Sequence, residues 1–406
     1  MTGTCTIVSP NYLGFASTLA SSYLQHHPGH RFFVLVVADL SREQRSLFAG
    51  AAFEPVLLNE IGLQDLRDTA MRFDLLEMNT NVKPTFLKYL FERFALDHIV
   101  YLDPDIFVYA PLSPVFAALD GGASVVLTPH ITSPIQDAKM PGEQDLLYNG
   151  TYNLGFVALR RCDTVARMLD WWEERCLLLG FSEGRTGLFV DQKWMNLAPG
   201  MFEDVAILRH LGCNMAYWNL HERLLSRQDS EYLVNETEQL CFFHFSGIVL
   251  EDGASLSRHT DRFTLADRPD LQELFTEYRR VLLANRNTTL DELPYGFDRL
   301  SDGTVITRLA RRIYAKHSAR WKGQDPFDAN CEFARFAQRL HLVAGRATSG
   351  KVTWKEFNAA DRRVRAIHRG LKFALRLLGP NRYELLMRYL AHVSILRNQS
   401  VFLDER

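Results

Sequence analysis

Two carboxylates one residue apart close an apolar run: residues 98 to 109 read HIVYLDPDIFVY, with Asp103 and Asp105 around Pro104. Carboxylates in this spacing can share one hard divalent cation, Mn2+ or Mg2+. Proline fixes one backbone angle and removes an amide donor, which stiffens the turn that aims them. A carboxylate-bound cation suits a diphosphate leaving group, because it neutralises charge that grows as the group departs. Asp and Pro are also common in ordinary turns, so the rest of the chain must decide. Further on, QLCFFHFSG ends in His244, and a histidine after a buried strand can supply a third ligand, since imidazole tolerates Mn2+. Lys83, just before Pro84, could hold a phosphate as a point charge or be a solvated surface lysine. His130 follows another buried run, where it either faces the ligand edge or is merely polar surface.

These residues need strands and helices to aim them. TCTIV (4–8) reads as a first strand, followed by Ser9, Pro10, Asn11 and Tyr12 and then a helix. RFFVLVVAD and FEPVLL read as further strands, with a charged helix from about Arg42 between them. This alternation predicts a parallel sheet with helices on both faces. The Asp103-Pro104-Asp105 turn then lies at a strand's carboxyl end, the edge where such sheets bind ligands. No G-x-G-x-x-G follows the first strand, which argues against a dinucleotide site. Tyr12 could instead stack on a base, with Ser9 and Asn11 reading its edge, or could pack under the helix. Residues 63 to 96 read as helical, with a fresh start at Lys83-Pro84. Residues 131 to 150, which contain Glu143 and Asp145, read as a long loop over the site, a lid or acceptor-binding segment. TYNLGFVALRR is a strand with Asn153 near its start and Gly155 at a point of close approach. DTVARMLDWWEERCLLLG is an amphipathic helix, and LFVDQKWMNLAP opens another, where Asp191 has an ordinary reading as an N-cap.

YLDPD, NLGF, VDQKWMN and HFSG, in this order, resemble glycosyltransferase family 8 and its bacterial polysaccharide relatives, over about residues 4 to 250. The resemblance implies an α/β fold of the GT-A type, a Rossmann-like mixed sheet with flanking helices. It implies that Asp103, Asp105 and His244 bind Mn2+ or Mg2+. It implies that Asn153, Asp191 and Gln192 face the donor sugar. Ser9, Asn11 and Tyr12 would hold the nucleotide, expected to be UDP, and Lys83 and Gly247 would line the donor site. The family's histidine motif usually continues to Lys-Pro-Trp, whereas here HFSG runs into IVLEDGASLSRHTDRF, which offers Arg258 and His259 as candidates for the lysine's place. The family's basic residue before the central strand is usually arginine; this chain offers Lys83, with Lys88 as a lesser substitute. The implied activity is transfer of a sugar from a nucleoside diphosphate to a glycan, lipid-linked or protein acceptor, with retention at the anomeric carbon. The alternatives are an Asp-X-Asp phosphohydrolase and a non-catalytic sugar-nucleotide-binding protein of the same fold. In the retaining scheme, the loop acids Glu143 and Asp145 and His130 stand as candidates on the acceptor side.

At 406 residues, 47% of them hydrophobic, the chain can bury a large core, and two units are expected: a catalytic domain over 1–265 and a mainly helical region over 266–406. A net charge of −2 gives no global electrostatic reason to expect nucleic acid as a partner, and none is expected. That balance hides an asymmetry, since residues 304–400 carry twenty Lys and Arg against six Asp and Glu. The basic segment, which includes a helical run from Lys351 to Leu396 broken at Gly379-Pro380, could dock peripherally on an anionic membrane. A solvated cap with Leu371, Leu375 and Leu378 facing inward is the other reading. No run is long enough to span a membrane, and the start MTGTCTIVSPNYLGF lacks the regions of a signal peptide, so a cytoplasmic location is expected. The six cysteines lack paired spacing and read as reduced core thiols rather than a disulfide set or a zinc site.

Overall fold

A computed structural model describes residues 1–229, 231–286, 288–344 and 362–402. It divides into two compact units, one of Met1–Leu66 with Leu75–Gly296, the other of Arg67–Asp74 with Phe297–Arg406. The expected alternation is present in the first unit: β1 (Thr2–Val8), α1 (Leu13–His26), β2 (Arg31–Val36) and β3 (Glu54–Leu57). The charged segment from Arg42 is a 3-10 turn rather than an α-helix, Arg42–Phe48. The single helical stretch expected over 63–96 is three helices, α2 (Leu66–Arg72), α3 (Leu75–Asn81) and α4 (Lys83–Arg93), the last with proline in its first turn as expected.

The remaining elements that build the site are β4 (His98–Leu102), β5 (Ile106–Val108), α5 (Ser113–Asp120), β6 (Val125–Leu127), α6 (Glu143–Asn149), β7 (Phe156–Arg160), α7 (Asp163–Leu179), β8 (Val205–Ile207), β9 (Met215–Ala216) and β10 (Phe242–His244). The main sheet has the order β8-β6-β7-β4-β1-β2-β3. It is parallel from β3 to β4, as the alternation predicts, while β7 runs antiparallel to both β4 and β6. β1 and β4 are buried along nearly their whole length, because helices cover both faces of a parallel sheet and leave no solvent side. A second, three-stranded sheet has the order β9-β10-β5, with β9 and β10 parallel, β10 and β5 antiparallel and His244 opposite Ile106.

The sheet unit continues beyond residue 265 because α8 (Gln272–Asn285) buries Leu274, Phe275, Tyr278 and Leu282 in the cluster that also holds Phe243 and Phe245. Tyr278 stacks on Phe245 with ring centroids 3.7 Å apart. In the second unit, α9 (Arg308–His317) and α10 (Glu332–Arg339) pack through Tyr314, Trp321 and Phe333. Buried Arg311 donates to the carbonyls of Ala70 (2.8 Å), Met71 (3.3 Å) and Phe73 (2.9 Å), closing the open end of α2, where backbone acceptors lack intrahelical partners. The basic run is α11 (Arg362–Val393), interrupted at Gly379 as expected; residues 351–361 of that run lie outside the described residues. Val364 is the buried residue of α11, whereas Ile367, Phe373, Leu375, Leu377, Leu385 and Leu390 are exposed. Of the three leucines expected to face inward, Leu371 and Leu378 are half-buried and Leu375 is exposed. No described helix is long and apolar enough to cross a membrane.

Arg311→Met should strip those carbonyls of a charged donor and loosen the 66–74 segment by about 2 kcal/mol, seen as roughly 30-fold faster hydrogen exchange of its amides. Unchanged exchange there would mean that the helix end is held by something else.

Candidate functional site

The site lies at the carboxyl edge of β4, where Asp103 and Asp105 follow Leu102. The Asp103 amide donates to the Gly155 carbonyl at 2.7 Å, and the Ile106 amide to the Asp103 carbonyl at 3.1 Å, so the turn is fixed by backbone before any side chain acts. The hydroxyl of buried Tyr101 donates to Asp103 Oδ1 at 2.7 Å. From the other side, pairing of β10 with β5 brings in His244, whose Nε2 lies 2.9 Å from Asp105 and 3.9 Å from Asp103. Ligand atoms of all three residues fall within 4.8 Å of one another. The sequence expectation of an Asp-Asp-His cluster is thus met in space.

A relay of amides behind the cluster sets which histidine nitrogen faces it. His130 Nδ1 donates to the Thr151 carbonyl at 3.2 Å, so Nε2 accepts from Asn153 Nδ2 at 3.3 Å. Asn153 Oδ1 then accepts from Asn214 Nδ2 (3.1 Å) and from the Gly155 amide (3.2 Å). Asn214 Nδ2 also donates to Thr128 Oγ1 at 2.8 Å, which leaves Asn214 Oδ1 to accept from His244 Nδ1 at 3.3 Å. Nδ1 of His244 therefore carries hydrogen, and Nε2 is directed at the carboxylates, the arrangement a ligating imidazole needs. Two carboxylates with one imidazole fit Mn2+ or Mg2+ by donor type. Burial disfavours the charged form of His244, yet Asp105 and then Asp103 outweigh it and hold the group above its ordinary value. Gly155 completes the cradle: a Cβ there would stand 2.4 Å from His244 Cε1 and 2.9 Å from Asp103 Oδ2, so only glycine fits.

Lys83 is not the solvated side chain of the alternative reading. It is 2% exposed, and its Nζ lies 2.6 Å from Asp191 Oδ2, donates to the Leu154 carbonyl at 2.8 Å and sits 4.1 Å above the Tyr101 ring. Asp191 is equally buried and does not cap a helix; burial pushes its carboxyl up, and Lys83 works against that rise. Gln192 spends both ends on backbone, accepting from the Leu154 amide (2.9 Å) and donating to the Asn149 carbonyl (3.2 Å). The three residues expected to face a sugar, Asn153, Asp191 and Gln192, are thus each tied to neighbours and nearly buried. Lys88 pairs with Asp170 and Glu173 of α7, away from the site. Ser9 donates to Asn11 Oδ1 at 2.8 Å, and Tyr12 stacks on Phe15 at 4.7 Å, so one face of its ring is already taken. This loop follows β1, the parallel neighbour of β4, and so shares its carboxyl edge.

Residues 131–150 are not the free loop expected. Residues 143–149 are helix α6, where Asp145 accepts the Gly142 amide at 2.8 Å and Glu143 the Ile135 amide at 3.1 Å. The stretch before it is moored by Arg262, which binds Asp137 (2.9 and 3.1 Å) and the carbonyls of Lys139 (3.1 Å) and Pro141 (2.8 Å). Of the two candidates for the missing lysine, Arg258 is exposed, while His259 lies against Gly247, a left-handed residue where a Cβ would be 2.4 Å from the imidazole. Sequence reasoning missed Tyr101, Asn214 and Asn219. Asn219 donates to the carbonyls of His130 (3.1 Å) and Asn214 (3.0 Å). The signal available for Asn214 was its type, since Asn tolerates the left-handed backbone it adopts, φ 59°.

No protein-family model matches the chain. It is 28% identical to the Bacillus subtilis protein YfnF over 283 residues, 67% of this chain and 90% of that protein. It is 23% identical to YfnD of the same organism over 305 residues, 74% of this chain and 93% of that protein. Among solved structures it is similar to galactosyltransferase LgtC in complex with donor and acceptor sugar analogs, at 17% identity and a TM-score of 0.42, covering 68% of this chain and 95% of that one. It is also similar to the glycosyltransferase GlyE of Streptococcus pneumoniae TIGR4, at 15% identity and a TM-score of 0.40, covering 77% and 72%. Likenesses of this size leave the chemistry to be argued from the site itself.

Two outcomes follow from the buried charges. Asp191→Asn, which strands the Lys83 ammonium, should cost on the order of 3–5 kcal/mol in urea unfolding, and Lys83→Met combined with it should recover part of the loss. Strict additivity would mean that the two do not act as a pair. Burial also lowers His130 from 6.5 to about 4. Between those values the unfolded chain binds a proton that the folded chain refuses, so stability falls as pH falls through this window, by on the order of 3 kcal/mol. His130→Gln should flatten that part of the stability profile, and an unchanged slope would assign the acid sensitivity elsewhere.

Proposed function

We propose that the chain is a metal-dependent glycosyltransferase of the GT-A type. It moves a sugar from a nucleoside diphosphate, UDP by resemblance to family 8, to a glycan, lipid-linked or protein acceptor. The convergence of Asp103, Asp105 and His244 Nε2 at the carboxyl edge of β4 carries this reading, because that donor set suits the divalent ion a diphosphate requires. These three residues hold Mn2+ or Mg2+, which when bound neutralises charge on the departing diphosphate. Ser9, Asn11 and Tyr12 form the nucleotide wall on the adjacent strand end, with the free face of Tyr12 available to the base. His259, over Gly247, takes the place of the family's lysine beside the diphosphate.

The reaction retains configuration by front-face substitution. Double displacement needs a free carboxylate beneath the anomeric carbon, and Asp191, the carboxylate the motifs offer, is committed to Lys83. The bond from the anomeric carbon to the diphosphate oxygen breaks, the acceptor oxygen bonds to the same face, and the acceptor proton passes to the departing phosphate. Asn153 and Gln192 act as positioning residues that fix the floor of the donor site through the Leu154-Gly155 backbone. The exposed apolar and basic residues of α11 face an anionic membrane surface, which suits a lipid-linked acceptor.

UDP should bind in calorimetry with Mn2+ present and lose at least tenfold in affinity with chelator or in Asp105→Asn, while the variant keeps its fold. Equal affinity without the ion sinks the metal assignment, and hydrolysis of an aryl phosphate with no nucleotide bound selects the phosphohydrolase. With an α-linked donor, NMR of the first product should show an α-linkage; a β-linkage would require an inverting base such as Glu143 or Asp145.

A further inference from the structure

A second set of ligand-type side chains lies at the other end of β10. The turn from His210 to Cys213 follows β8 and is closed by the Cys213 amide donating to the His210 carbonyl at 3.0 Å. Its Gly212 carbonyl accepts from the amides of Cys241 (2.8 Å) and Phe242 (3.2 Å), which pins the start of β10 against it. The approach is so close that a Cβ on Gly212 would stand 1.9 Å from the Gln239 carbonyl oxygen. Arg223 braces the same turn, donating to the carbonyls of Leu211 (2.7 Å) and Cys213 (3.0 Å). Two segments distant in sequence thereby bring one ligand atom each of His210, Cys213 and Cys241 within 4.8 Å of one another.

The chemistry of this trio differs from that of the Asp103 cluster. Neither thiol is in a disulfide, and both are only 1% exposed. The His210 side chain is 22% exposed, so solvent reaches the trio from the imidazole side. The Gly212 amide donates to His210 Nδ1 at 3.2 Å, and Glu238 Oε2 lies 3.4 Å from the same nitrogen. Soft sulfur donors with imidazole select zinc over Mn2+ or Mg2+. Two thiolates and a neutral imidazole also cancel the charge of Zn2+, which lets the complex lie against an apolar core.

We propose that His210, Cys213 and Cys241 bind a zinc ion that fastens the loop after β8 to β10, the strand that carries His244. Binding forms two Zn–S bonds and one Zn–N bond and releases two thiol protons to solvent, with water at the exposed fourth position. The ligands lie about 10 Å along β10 from His244, so the two ions would be separate.

The full chain, exposed to zinc and then freed of loose metal, should retain close to one zinc per chain by elemental analysis, and Asp105→Asn should retain it too. Loaded with Co2+ instead, the wild-type protein should show the near-ultraviolet thiolate-to-cobalt band. Cys213→Ser and Cys241→Ser should each abolish that band, while Cys331→Ser leaves it intact. Absence of zinc and of the band in the wild type, or a band that survives both substitutions, overturns the proposal. So does a count of four thiols rather than six in denaturant, which would make the pair a disulfide.

Discussion

The approach of Gly155 to the Asp103-Pro104-Asp105 turn is the constraint on which the rest of the site depends. Its carbonyl accepts the Asp103 amide, its own amide donates to Asn153, and its missing side chain leaves the volume that His244 and Asp103 occupy. This contact exists because β7 runs antiparallel to β4 and therefore begins beside the end where β4 stops. A parallel strand at this position would start at the opposite edge of the sheet. The single reversal in an otherwise conventional α/β order thus places NLGF next to YLDPD.

Around that contact, the polar interior is organised by full commitment of its groups. Asn153, Asn214 and Asn219 use their donors and acceptors to lock one another, His130 and His244. In a low-dielectric interior such a network is rigid when satisfied and costly when broken, so the orientation of the His244 imidazole is set before any ion arrives. Burial of Lys83 with Asp191 follows the same logic. An isolated charge at that depth would be expelled or neutralised, and the pair, with Tyr101 beneath it, instead joins α4, the loop before Gln192 and the central strand.

The stretch before α6 shows how a polar segment becomes ordered without a core of its own. Residues 131–142 carry few buried apolar side chains, yet Arg262, Asp261 and Thr260 fasten Asp137, Lys139, Met140 and Pro141. The anchoring residues come from the stretch that departs from the family 8 pattern after HFSG.

The sequence by itself determined the order of elements, the strand that ends in the two acids, and the histidine that joins them. Buried parallel strands are continuous apolar runs and their edges are marked by polar residues, so both are legible in one dimension. Gly155 was legible as a point of close approach for the same reason, since glycine inside a strand has few other uses. It did not determine what Lys83 and Asp191 do, because a charge reads as solvated or functional until its burial and partner are known, and these partners lie far apart in the chain. Nor did it reveal Asn214, or the meeting of Cys213 with Cys241. Those depend on which segments the β9–β10 pairing brings together, and hydrogen-bond partners across such a crossing leave no periodicity to read. Only the tertiary structure decided them, because contact there is fixed by backbone register and close packing rather than by spacing along the chain.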